Sequence, residues 1–196
     1  MIPESVSLTY WDYYHQGRER YDSMIKAHQE ICDDMWYAGG AWSWNGFSPM
    51  AEFTLRTMKP AMESVRENNS ENVLVTVWGD NGKECSYFAI LPSLYAIRQF
   101  ADGNFDMDSI KAGFKAEFGW EFDDWMKLDL PHRFAIDGEI YDGWDCMHKT
   151  MFYVDPFLGM RDCEYARLHP VPFASYAKEL SETSKKVGEF GYIFDT

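Results

Sequence analysis

The sequence predicts an α/β protein built on a parallel sheet. Short β-branched and aromatic runs alternate with helix-periodic segments three times in the first half of the chain. Hydrophobic residues make up 46% of the 196, enough for a sizeable core at this length. The strand-like runs are short and apolar, which predicts a sheet covered on both faces. Strands joined through helices pair in parallel by right-handed crossovers, in an open doubly wound sheet or a (β/α)8 barrel. A complete barrel needs roughly 250 residues, so a barrel here is incomplete.

The elements follow in order. "VSLTYWDYY", from Val6, is β-branched and aromatic and reads as a strand. In "RERYDSMIKAHQEI" the residues Tyr21, Met24, Ile25, His28 and Ile31 share one face of a helix. "MWYAGGAWSW", Met35 to Trp44, is a second strand, and a helix follows with Leu55, Met58, Met62 and Val65 on one side and Pro60 as a kink or break. "VLVTVW" is the third strand. Glu84 to Phe100 is the third helix, with Pro92 as a second kink.

After a boundary near Gly103 the chain is expected to be mainly helical, giving two regions, 1–103 and 104–196. "MDSIKAGFKAEFG" sets Ile110, Phe114 and Phe118 on one face, and "EFDDWMKL" reads as a short second helix. Pro131 to Val154 is expected to be irregular. A last helix places Phe173, Tyr176, Ala177 and Leu180 together and is stopped by Gly188.

A formal net charge of −14 repels phosphate backbones and anionic lipid, so nucleic acid and membranes are excluded as expected partners. No run reaches the roughly 20 apolar residues of a membrane span, and the start lacks the pattern of a secretory signal, so a cytoplasmic location is expected. Cys32, Cys85, Cys146 and Cys163 form no C-x-x-C pair and are expected as reduced thiols. "GDNGKE" lacks phosphate-loop spacing, "GGAWSWNG" is no dinucleotide fingerprint, and the histidines show no metal spacing; no cofactor and no metal are expected. Cys146 and His148, close in sequence, are read as packing residues.

In parallel α/β sheets ligands bind beyond the carboxyl ends of the strands. The three ends here carry Tyr10 with Asp12, Trp42 with Trp44, and Trp78 with Asp80. Each end read singly is better explained by core aromatics and helix-capping acids; three alike favour a sugar. Rings stack on pyranose C–H groups while carboxylates accept from its hydroxyls.

"SLTYWDYYH", "YAGGAWSWNGFSP" and "VTVWGDNGKECSYFAILPSLYAIRQF" resemble the last three strand ends of the barrel in family 20 glycoside hydrolases, the β-N-acetylhexosaminidases. "FGWEFDDWMKLDLP", "YVDPFLGMRDC" and "GEFGYIFDT" are similar to the helical region that follows that barrel in the cytoplasmic bacterial branch. The resemblance implies about three βα units at the C-terminal end of a (β/α)8 TIM barrel followed by a mainly helical region. It implies exo-acting, retaining hydrolysis of terminal β-linked GlcNAc or GalNAc, with the substrate's acetamido group as nucleophile. By position, Tyr10 would donate to the acetamide carbonyl as the catalytic residue. Asp12, Trp42, Trp44, Trp78 and Asp80 would bind substrate, Asp80 standing where many members have Glu. The family's acid/base Asp-Glu pair and earlier strands have no counterpart here, which implies a part of the enzyme, inactive alone. A non-catalytic N-acetylhexosamine-binding module, or a complementation partner of the missing barrel half, is the alternative. Small N-acetylhexosamine glycans are the expected partners, with a homo-oligomer allowed by the aromatic stretch Phe134 to Phe157.

Overall fold

The computed structural model of the chain describes residues 3, 5–80, 84–136, 139–142 and 173–195. Its frame is β1 (Leu8–Trp11), α1 (Arg18–Gln29), β2 (Met35–Gly40), α2 (Ala51–Glu67), β3 (Asn72–Thr76) and α3 (Leu91–Ala101). The three strands form a parallel sheet in the order β1-β2-β3, so each strand pairs only with its neighbour in sequence and βαβαβα is observed as expected. The strands are shorter than the sequence suggests. The aromatic residues after Trp11, Gly40 and Thr76 lie beyond the strands, although Asp12 N–H still donates to Ala38 O and Ala41 N–H to Thr76 O.

Register decides what each face carries. Tyr10, Tyr37 and Val73 lie side by side and point toward the helices. Tyr37 and Tyr10 meet the ring of Tyr21 from α1 at 5.9 and 6.3 Å between centroids, and the Tyr37 hydroxyl contacts the Met58 sulfur of α2. The next row, Trp11, Ala38 and Leu74, points the other way. Trp11 and Leu74 there stay 54% and 50% exposed, flanking the buried Ala38, and Trp36 of the same face is exposed too. The expectation of a sheet covered on both faces therefore fails among the described residues. The apolar runs are explained by helix packing on one face and by aromatic side chains on the other.

The helices bury the stripes their periodicity marks. Tyr21 and Ile25 of α1 and Met58, Met62 and Val65 of α2 are buried, whereas Leu55 is half-buried. Ile31 is exposed because α1 ends at Gln29. α2 runs through Pro60 without a break. Pro92 is no kink: it occupies the first turn of α3, where its missing N–H costs nothing, after a separate 3₁₀ turn at Tyr87–Ile90.

α4 (Met107–Phe118) opens on the Asp106 carboxylate, which accepts from the N–H groups of Asp108 and Ser109, and closes on Gly119 at φ 77°. α5 (Phe122–Trp125) leads into a 3₁₀ segment Met126–His132. The stretch from Pro131 expected to be irregular instead finishes that 3₁₀ segment and then forms an antiparallel pair, β4 (Arg133–Ile136) and β5 (Glu139–Asp142). α6 (Phe173–Ser184) buries Leu180, with Phe173 and Tyr176 half-buried and Ala177 exposed. It ends before Gly188, which instead starts a 3₁₀ turn. One apolar cluster crosses the expected boundary near Gly103, taking in Tyr37, Phe100, Phe114, Trp125 and Phe194. Cys32 and Cys85 are free thiols; Cys146, His148, Cys163 and "YVDPFLG" lie outside the described residues.

Candidate functional site

The carboxyl ends of the strands gather one aromatic cluster. Trp11 stacks on Trp78 at 5.5 Å and 24°, and Tyr13 joins Trp11 to the Trp42–Trp44 pair. That pair is itself stacked at 4.4 Å, with Phe53 of α2 set edge-on against Trp42. Loop 41–50 is tied at several points. Ala41 N–H donates to Thr76 O, Trp42 N–H to Thr54 Oγ1, the Trp42 indole to Tyr13 O, and Met50 N–H back to Trp42 O. Gly40 permits this closeness, because a Cβ there would meet Trp44 at 2.8 Å and Tyr13 at 3.0 Å.

The expected site residues fall into three groups. Trp78 is 37% exposed beside Trp11, and Asp80 is exposed with its charge close enough to act on Tyr13. Trp42 and Trp44 are brought together as expected, but buried as backing. Tyr10 and Asp12 are also brought together, on the helix side of β1: the Tyr10 hydroxyl donates to Asp12 Oδ2 at 2.6 Å, and both residues are buried. In this geometry the Tyr10 hydroxyl faces Asp12, not the Trp78 edge.

Electrostatics follow from burial and pairing. Burial first, then the Asp12 hydrogen bond, push the Tyr10 phenol well above its ordinary value, so it stays a donor. Burial alone would raise Asp12, yet hydrogen bonds from Tyr10, the Tyr14 N–H and His15 outweigh it and hold the carboxyl below its usual range. Burial and a hydrogen bond with Tyr14 raise Tyr13; the Asp80 charge adds to this, and a hydrogen bond with Trp78 opposes it.

Sequence reasoning missed Trp11, Tyr13, Tyr14 and His15. The signal was parity: in "TYWDYYH" Trp11 and Tyr13 alternate opposite to Tyr10 and Asp12. Trp11 and Tyr14, with Trp78, expose ring surface at this edge. Among the described residues no cluster of His, Cys, Asp and Glu gathers as metal ligands, and no helix is long and apolar enough to cross a membrane. No family model matches the chain, and no curated protein matches it.

Proposed function

We propose that this chain binds the terminal N-acetylhexosamine of a small glycan at the carboxyl edge of its sheet, as the rear part of a β-N-acetylhexosaminidase-type (β/α)8 barrel. The observation that carries the reading is the Trp11–Trp78 stack, with the exposed Asp80 two residues beyond Trp78 in the chain, an apolar floor and an anionic acceptor after the same strand. Trp78 and Trp11 carry the sugar ring, Asp80 accepts from hydroxyls, and Trp42 and Trp44 hold the floor flat from behind. Tyr10 enters as the group that fixes Asp12. Serial β1-β2-β3 pairing with an open opposite face suits a barrel segment.

The sequence contains no adjacent Asp-Glu pair of the kind the family resemblance implies, so on this reading retaining, substrate-assisted cleavage takes its acid from outside the chain. Titration calorimetry with N-acetylglucosamine tests the binding, with loss expected in Trp78→Ala. An aryl β-N-acetylglucosaminide assay tests the chemistry, with no release expected from the purified chain. Absence of sugar binding would overturn the site, and turnover would overturn the need for an outside acid. A second reading, a complementation partner for the earlier barrel strands, is favoured by the exposed Trp36 and Leu74. Mixing with a chain that carries those strands would then restore turnover.

A further inference from the structure

The turn after β1 holds a built arrangement that the sugar site does not use. Asp12 is buried, and its Oδ1 accepts from the Tyr14 N–H at 2.9 Å and the His15 N–H at 3.4 Å. Its Oδ2 accepts from the Tyr10 hydroxyl at 2.6 Å and faces His15 Nδ1 at 2.6 Å. A carboxylate offers about four acceptor positions, and protein donors fill them. Asp12 thus has no lone pair left for a ligand, and it caps no helix, since α1 begins at Arg18 behind Gly17.

What Asp12 does is fix an imidazole. Its charge selects the Nδ1–H form of His15, leaving Nε2 as the remaining nitrogen of a side chain that is 50% exposed. The backbone beneath is fastened as well. Tyr37 donates to Asp12 O at 2.8 Å, Tyr21 to His15 O at 2.6 Å, and the Trp42 indole to Tyr13 O at 3.1 Å. Tyr14, the neighbour of His15, sets its ring against Tyr13 and Trp42. The loop that carries the imidazole is therefore pinned to the aromatic cluster.

We propose that His15 is a ligand-contacting residue at the carboxyl end of β1, its Nε2 accepting a hydrogen bond from a ligand hydroxyl, with Asp12 and Tyr10 as positioning residues behind it. This rests on the sugar-binding reading above and replaces the direct sugar contact expected of Asp12. Nitrogen-15 NMR of the imidazole and indole groups of the full chain, titrated with N-acetylglucosamine, tests it. The Nδ1–H form is expected in the wild type and a mixture of forms in Asp12→Asn. The sugar should shift His15 Nε2 together with the Trp11 and Trp78 indole signals. His15→Ala should lose about tenfold in affinity. His15→Gln, whose amide oxygen reaches near the Nε2 position, should recover most of that loss. Indole shifts with a silent imidazole and unchanged affinity in His15→Ala would overturn the proposal and leave the ring floor standing. Silence of both would overturn the sugar reading and this proposal together.

Discussion

The Trp11 indole of β1 lies against that of Trp78, two residues beyond β3, planes 24° apart, although β1 and β3 are not neighbours in the sheet. The small residues of β2 between them make this contact across the sheet possible. Trp78 is 37% exposed, whereas Trp42 is 3% exposed. Trp42→Ala is therefore expected to cost about 3–5 kcal/mol of stability, and Trp78→Ala about 1 kcal/mol or less. Urea unfolding followed by circular dichroism checks the contrast; equal losses would mean that Trp78 serves packing, not ligand.

Asp12 is one of the carboxyls whose pairing makes stability depend on pH, together with Asp22, Glu67 and Asp124. Its folded carboxyl lies below its ordinary value, so its stabilisation is fully present above the unfolded value of about 3.9. That stabilisation is lost as pH falls through the lower folded value. Asp12→Asn is expected to cost about 1.5–3 kcal/mol at pH 7 and to differ less from the wild type as pH falls below 4. Unfolding midpoints at both ends of that range are the measurement, and a constant gap would refute the assignment.

Gly39 and Gly40 separate two kinds of crowding. A Cβ at Gly39 meets chiefly the end of Met58, a flexible side chain, while one at Gly40 meets the rings of Trp44 and Tyr13. Gly40→Ala should cost about 1–3 kcal/mol and alter the near-ultraviolet dichroism of the indoles. Gly39→Ala should be milder in both. The reverse order would show that the aromatic cluster yields more easily than Met58.

The start of α2 depends on a distant residue. Met50 gives it no side-chain cap, and Asp129 Oδ1 accepts from the Glu52 N–H at 3.3 Å while Oδ2 takes a bond from Arg133. His132 Nε2 lies 2.8 Å from Ser48 O in the loop before it. Asp129→Ala should cost about 1–2 kcal/mol and loosen loop 41–50, read as faster amide exchange at Trp42 and Thr54. Unchanged exchange would sever the link between this cap and the aromatic backing.

Much of the frame was legible because hydrophobic spacing is a local signal. Tyr21 and Ile25, and Met58 with Met62 and Val65, sit where a 3.6-residue period puts them. Strand ends were overrun because Trp42 and Trp44 have strand-like side chains but pack as a loop, a choice made by Phe53 and Tyr13. Alternation put Tyr10 beside Asp12, yet which face the helices cover is a tertiary fact, and it turned that pair away from Trp78. The β4–β5 pair carried a signal of its own in Asp137-Gly138, a dipeptide that favours hairpins.

The sheet joins only sequence neighbours, so it can zip from β1 onward while later residues are still being synthesised. The carboxylate that caps α2 lies 77 positions beyond Glu52. Backbone pairing thus needs only near neighbours, whereas the cap that steadies the loop of Trp42 and Trp44 waits for a residue from the far half of the chain.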